Sequence, residues 1–121
     1  MIKTEDDFRK EMRLCPRGGK GVLTIKHMLE SEEYFAKGRM FAKAILEPGS
    51  SLGLHVHKNE MEFIYILSGV ATVVDNGEKE ILHRGDVLYT GDGDSHSIAN
   101  NNNTDLEYIA IILRNGESND G

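Results

Sequence analysis

Residues 49–69 read Gly-Ser-Ser-Leu-Gly-Leu-His55-Val-His57-Lys-Asn-Glu-Met-Glu62-Phe-Ile-Tyr-Ile-Leu-Ser-Gly. In an extended chain successive side chains alternate between two faces, so His55 and His57 point the same way. A second glycine-bounded segment, further along the chain, supplies His96. Two imidazoles on one face, with a carboxylate and a third imidazole from neighbouring strands, make a pocket of three nitrogens and one oxygen. Such a ligand set favours a divalent transition metal, because calcium and magnesium prefer oxygen ligands.

Both glycine-bounded segments resemble the paired motifs of the cupin superfamily. The first motif, G-x5-H-x-H-x(3,4)-E-x6-G, is matched at every fixed position, by Gly49, His55, His57, Glu62 and Gly69. The second, G-x5-P-x-G-x2-H-x3-N, is matched by Gly85, Gly93, His96 and Asn100. Gly91 stands where the family usually has proline, which removes a rigid turn residue but no metal ligand. The resemblance covers residues 49–100 and, through the strand pattern on both sides, most of the chain.

The resemblance implies a single-domain cupin of the conserved-barrel (cupin 2) type, an all-β double-stranded β-helix or jelly-roll barrel. It implies one divalent transition metal per chain (Mn, Fe, Ni, Zn, Cu or Co), with the ligands His55, His57, Glu62 and His96. Cupins include isomerases, lyases, decarboxylases and dioxygenases, but also sugar-sensing domains and storage proteins. We expect a metal-dependent enzyme acting on a small, oxygen-rich molecule that chelates the metal. The alternative is a non-catalytic binding or sensory module.

The carboxylate of the site has two candidates. Glu62 begins a run in which Ile64 and Ile66 would share its face, so its charge would need a compensating cation beside an apolar interior. Glu60 lies on the same face, two residues earlier. The family spacing allows three or four residues after His57, and Glu62 also lies at the required distance from the closing glycine. The spacing therefore favours Glu62.

The rest of the chain has the pattern of a sandwich or barrel. Short runs rich in β-branched and aromatic residues alternate with turns and are punctuated by 13 glycines. The predicted strands are 22–29, 40–46, 62–67, 70–74, 79–82, 86–90, 95–99 and 106–113. Asn76-Gly77 predicts a tight hairpin. The predicted organisation is an N-terminal helix and glycine-rich lead-in at 1–21, a barrel at 22–114 and a disordered polar tail at 115–121.

The N-terminal lead-in is expected to begin with a helix. Thr4, followed by three acids, has the composition of an N-cap and first turn. The helix would end before Pro16 and carry an apolar stripe of Phe8, Met12 and Leu14. The following Arg17-Gly-Gly-Lys-Gly segment lacks the spacing of a phosphate-binding loop. A flexible turn before a strand is therefore favoured over an anion-binding role.

Residues outside the four-residue group are harder to assign. His27 and His83 are interpreted as structural or surface histidines, and Cys15 as a small apolar filler. Asn100 either accepts a hydrogen bond from His96 or caps the turn that follows. No acid or base is placed by the sequence, and nothing ranks the residues that could line the pocket: Tyr34, Tyr65, Tyr89, Glu47, Glu60, Arg39 and Lys43.

The composition of the chain narrows the classes of binding partner and the cellular location that we expect. With 121 residues the chain makes one domain, and its net charge of −6 argues against nucleic acid. No segment has the pattern of a membrane span or signal peptide. A single cysteine fits a reducing compartment, so we expect a cytoplasmic protein. We also expect a homodimer, with the apolar strand at 22–29 as an exposed edge that a second copy covers.

Overall fold

The computed structural model describes residues 1–116, which form ten strands and three short 3-10 helices. The helices are Glu5–Asp7, Pro16–Gly18 and Ser31–Tyr34. The strands are β1 (Arg9–Leu14), β2 (Val22–His27), β3 (Gly38–Leu46), β4 (Ser51–Val56), β5 (Glu60–Ser68), β6 (Ala71–Asp75), β7 (Glu78–Leu82), β8 (Val87–Thr90), β9 (Ser95–Ala99) and β10 (Leu106–Arg114). Within this part of the chain, no helix has the length and apolar character needed to cross a bilayer.

Two antiparallel sheets enclose one core. The larger sheet has the order β1-β2-β3-β10-β5-β8, and the smaller has the order β4-β9-β6-β7. In β3 and β10 every second residue is buried, which is the period-2 pattern of a strand with one face on a core. The core takes side chains from both sheets, including Ile25, Ile64, Ile98 and Tyr108. The predicted all-β cupin-type barrel is confirmed.

The hairpin between β6 and β7 confirms the turn predicted from the sequence. Asp75 and Glu78 are paired across the turn. Asn76 and Gly77 between them have φ values of 47° and 87°. A two-residue turn with both central residues at positive φ matches the right-handed twist of the strands, which is why Asn-Gly is favoured there.

The N-terminal helix is shorter than the sequence predicts. Helical structure ends at Asp7, and β1 pairs with β2 along its whole length, from Arg9 opposite His27 to Leu14 opposite Val22. The stripe predicted from Phe8, Met12 and Leu14 therefore does not form, and Met12 and Leu14 are exposed. Glu11 and Arg13, which alternate with them, are the more buried residues of the strand. This inverted alternation hides the strand from an analysis based on hydrophobic periodicity.

Three further predictions, on the edge strand, Cys15 and the C-terminal tail, can be compared with the structure. The segment 22–29 is not an edge strand, because β2 lies between β1 and β3, and the edges of its sheet are β1 and β8. Cys15 is exposed and is not an apolar filler. The predicted tail at 115–121 falls, from residue 117 onward, outside the described residues.

Candidate metal centre

The structure brings together all four residues that the motifs single out. His55 lies on β4 directly opposite His96 on β9, and His57 follows the end of β4. Glu62 comes from β5 in the other sheet. One ligand atom of each residue lies within 4.8 Å of all the others, and three of the four side chains are buried. The group could hold a metal ion.

The distances within the group fit a single ion. Glu62 Oε1 lies 2.9 Å from His57 Nε2 and 3.1 Å from His96 Nε2. His96 Nε2 lies 3.1 Å from His55 Nε2 and 3.3 Å from His57 Nε2. Two ligand atoms at right angles on a metal about 2.1 Å away are about 3.0 Å apart. The donor set of three nitrogens and one carboxylate oxygen therefore has the spacing of a transition-metal shell.

The other nitrogen of each imidazole also has a partner. His55 Nδ1 donates to the carbonyl oxygen of Gly53 at 2.7 Å, and His57 Nδ1 donates to the Glu60 carboxylate. His96 Nδ1 is 2.6 Å from the hydroxyl oxygen of Thr90. A proton on Nδ1 leaves the lone pair of Nε2 directed at the centre of the group, as a metal ligand requires. These partners fix the tautomer and the orientation of all three rings.

The hydrogen-bond partner of His96 Nδ1 is Thr90 and not Asn100, which the sequence had offered as one candidate for this role. The Asn100 amide donates to the carbonyl oxygens of Leu46 and Thr104, both at 2.8 Å, and its side-chain oxygen accepts from the backbone of Asn102 at 3.0 Å. Asn100 therefore caps the turn after β9, which was the second interpretation. Thr90 is placed by the pairing of β8 with β5, where it lies opposite Glu62. No sequence pattern marks that pairing.

Glu60, the alternative carboxylate, lies outside the four-residue group and supports it. Its carboxylate accepts from His57 Nδ1 and also from Arg39, at 2.9 Å from Nε and 2.8 Å from Nη2. The hydrogen bonds from Arg39 hold the pKa of Glu60 at about 2. Glu60 is thus ionised at neutral pH and joins one histidine of the group to an arginine.

The pKa values of the ion-free group show which atoms compete for protons. Burial alone would raise the pKa of Glu62, but hydrogen bonds from His57 and His96 outweigh it and hold that pKa at about 2. The hydrogen bond to Glu62 in turn raises the pKa of His57. Burial lowers the pKa of His55 to about 4. In the absence of a cation, therefore, a proton on His57 compensates the buried Glu62 carboxylate.

A cavity of about 30 Å³ adjoins the group and lies between the two sheets. Its wall is largely apolar, with Leu23, Ile25, Met40, Leu52, Ala110 and Ile112 among the lining residues. Three arginines also line it, Arg13 from β1, Arg17 from the second 3-10 helix and Arg39 from β3. Of the residues that the sequence analysis considered as candidates to line the pocket, only Arg39 lines this cavity. No sequence pattern pointed to Arg13, because β1 was expected to be helical.

A hydrogen-bonded chain leads from the barrel interior to this cavity. His27 is buried, and its Nε2 lies 2.9 Å from Glu11 Oε1. The other oxygen of Glu11 accepts from Arg13 Nε at 2.8 Å. Hydrogen bonds from Arg13 and then His27 lower the pKa of Glu11 to about 2. His27 has the structural role expected of it, and His83 is exposed.

Comparison with known proteins agrees with the geometry. A cupin-domain family model matches residues 42–112. The chain is 48% identical over 113 residues to an oxalate-binding protein of Thermotoga maritima, covering 93% of each chain. It is 30% identical to an uncharacterized protein of Methanocaldococcus jannaschii, covering 90% of this chain and 83% of that one. The crystal structure of a predicted oxalate decarboxylase from Thermotoga maritima is similar with a TM-score of 0.90 and 43% identity, covering 94% of this chain and 99% of that one. This chain belongs to the cupin family.

Proposed function

We propose that this protein binds oxalate, or a dicarboxylate of similar size, at a divalent transition metal held by His55, His57, Glu62 and His96. The observation that carries the proposal is the set of three arginines that line the cavity beside these residues. Guanidinium groups match the geometry of carboxylates. The similarity to an oxalate-binding protein supports the same ligand class.

The charges around the cavity favour a dianion. Three guanidiniums and a divalent ion carry five positive charges. The carboxylates of Glu11, Glu60 and Glu62, which contact these groups, carry three negative charges, since each has a pKa of about 2. Two positive charges remain beside the apolar wall of the cavity, one of them on Arg17, which is exposed. A doubly charged ligand would make the site neutral.

The size of the cavity favours a small ligand. The cavity has a volume of about 30 Å³, and His55, His57 and Glu62 of the candidate metal centre are among its lining residues. A bound ion would supply open coordination positions for one or two carboxylate oxygens of the ligand. The protein would supply the imidazole and carboxylate ligands, the fixed ring orientations and the cationic wall.

Decarboxylation of the bound dicarboxylate is the second candidate, and it keeps the expectation of a metal-dependent enzyme. Tyr108 lines the cavity, and burial raises the pKa of its phenol, which therefore stays protonated at neutral pH. That proton could be given to the carbon that loses carbon dioxide, leaving formate. Binding without turnover is favoured because, among the described residues, Glu62 is the only carboxylate that lines the cavity.

Calorimetric titration of the metal-loaded protein with oxalate tests the proposal. We expect binding by protein that holds one equivalent of metal, and none after the metal has been removed with a chelator. Elemental analysis of protein purified without chelators identifies the ion. Formate and carbon dioxide measured over hours separate turnover from binding. Failure of the metal-loaded protein to bind oxalate would refute the proposal.

We also propose that two copies pair through the outer face of the six-stranded sheet. On β5 and β8 this face exposes apolar side chains next to one another, since Tyr65 lies opposite Val87 and Tyr89 follows two residues on. Val87 is 50% exposed and Tyr89 60%. An isologous dimer would bury them. A single species near the 13.5 kDa chain mass in sedimentation equilibrium at micromolar concentration would contradict this proposal. The cytoplasmic location stays a prediction.

A further inference from the structure

Arg17 differs from the other two arginines of the cavity. Arg13 is held by the Glu11 carboxylate at 2.8 Å, and Arg39 by the Glu60 carboxylate at the same distance. Arg17 is an exposed residue that also lines this cavity, and it has no carboxylate within ion-pair distance among residues 1–116. Its guanidinium therefore has all of its donors available to a ligand.

The backbone of Arg17 is fixed in an uncommon conformation. Its φ is 53° and its ψ is 34°, in the left-handed region that residues with a side chain rarely adopt. Cys15, two residues earlier, has a φ of 48°. Such conformations persist only where the surrounding structure enforces them, and they concentrate at functional sites.

The surrounding structure holds this segment flat against β4. The backbone of Cys15 donates to Gly21 at 2.8 Å, which closes the segment into a loop. A Cβ atom at Gly53 on β4 would lie 2.2 Å from the carbonyl oxygen of Arg17, and one at Gly19 would lie 2.0 Å from the carbonyl oxygen of Ser51. Only glycine fits at these two positions, so the close approach is built into the sequence.

The same contact ties Arg17 to the four-residue group. Gly53, on which the Arg17 carbonyl rests, accepts the hydrogen bond from His55 Nδ1 at 2.7 Å. One glycine therefore fixes both the orientation of an imidazole and the position of the Arg17 backbone.

We propose that Arg17 determines the specificity of the site by binding the second carboxylate of a dicarboxylate whose first carboxylate is on the metal. This inference rests on the proposed function. A monocarboxylate such as acetate would gain only the metal contact. A dicarboxylate would also gain charge-assisted hydrogen bonds to a guanidinium with no competing carboxylate. Loss of that contact should weaken dicarboxylate binding by about 10- to 100-fold.

The test compares oxalate with acetate in calorimetric titrations of protein loaded with manganese(II) and, in parallel, with zinc(II). Arg17→Gly removes the guanidinium, and glycine adopts the left-handed conformation without strain, so the fold is retained. Arg17→Lys keeps the charge but loses the planar fork. Arg84→Gly is the matched control, because Arg84 is exposed in the turn before β8 and does not line the cavity.

We expect Arg17→Gly to bind oxalate about 10- to 100-fold more weakly, while its acetate affinity stays within about twofold of wild type. Its metal content and unfolding temperature should not fall. Arg17→Lys should be intermediate, and Arg84→Gly should match wild type. Unchanged oxalate affinity in Arg17→Gly, or an equal loss for acetate and oxalate, would overturn the inference.

A panel that adds malonate and inorganic sulfate separates this inference from the proposed function. If wild-type protein binds no oxalate but binds another dianion in a way that depends on Arg17, the proposed function is wrong and the role of Arg17 stands. If dianions bind equally well without Arg17, or none binds at all, the role of Arg17 is refuted. Binding of oxalate that does not depend on Arg17 refutes the inference alone.

Discussion

Replacement of Glu60 by glutamine should weaken metal binding although Glu60 is not in the four-residue group. The Glu60 carboxylate is 12% exposed and accepts hydrogen bonds from two donors, His57 Nδ1 and the guanidinium of Arg39. Glutamine has the same shape but only one accepting oxygen, so its amide nitrogen must face one of these donors. With the amide nitrogen in place of Oε2, both the imidazole and Nη2 of Arg39 lose their acceptor. With it in place of Oε1, only the bond from Arg39 Nε is lost, and the remaining hydrogen bonds are to a neutral group.

The magnitude follows from these two contacts. Loss of a group that orients a ligating histidine typically costs 10- to 100-fold in metal affinity, so we expect Glu60→Gln to lose at least about tenfold. Hydrogen bonds to a charged group contribute about 1.5–3 kcal/mol. The metal-free variant should therefore unfold with about 1.5–3 kcal/mol less stability. Since Arg39 also lines the cavity, oxalate affinity should fall as well.

Metal affinity is measured by competition with a chelator of known strength, and stability by urea unfolding of the metal-free protein. Glu80→Gln is the matched control, because Glu80 lies exposed on β7 and far from the group in the strand order. The control should match wild type in both measurements. Metal affinity of Glu60→Gln within about twofold of wild type would refute the role we assign to this carboxylate.

Three further outcomes are expected. His57→Ala should lose the metal on dialysis but keep the strand signal in circular dichroism, because the barrel is held by apolar strands; retention of a full equivalent of metal would refute the ligand assignment. Metal occupancy should fall as the pH drops, because ion and proton compete for the same nitrogens. The hydrogen bond to Glu62 raises the pKa of His57, so the apparent metal affinity should begin to fall above the usual histidine value of about 6.5, and occupancy unchanged down to about pH 4 would argue against imidazoles as the main ligands. The pKa of Glu11 is lowered to about 2 by Arg13 and His27, so the stability that it contributes is present above its ordinary value of 4.5 and is lost as the pH falls towards 2. In the metal-free protein Glu11→Gln should therefore reduce stability at pH 7 more than at pH 3, and equal losses at the two pH values would argue against this ion pair.

The sequence predicted those parts of the molecule in which local pattern and tertiary environment agree. Alternation along β3, β5 and β10 follows burial, and Asn76-Gly77 adopts the turn conformation that these residues prefer. The four-residue group was found because its spacing along the chain is fixed by the family motifs. In β1 pattern and environment disagree, because the inward-facing residues are Glu11 and Arg13, which pair with each other and, through Glu11, with His27 on the neighbouring strand.

The position of the arginines in the chain suggests how ligand choice and metal choice are separated. The four residues of the candidate metal centre lie within residues 42–112, which the cupin model matches. Arg13, Arg17 and Arg39 all precede that region, on β1, the loop after it and β3. The motif residues would thus bind the ion, whereas the N-terminal arginines would select the ligand that occupies the open coordination positions of the ion. A change confined to residues 9–17 should therefore alter ligand specificity while leaving metal affinity intact, which is the behaviour expected of Arg17. A change at Arg39 should alter both, because Arg39 holds the Glu60 carboxylate that orients His57.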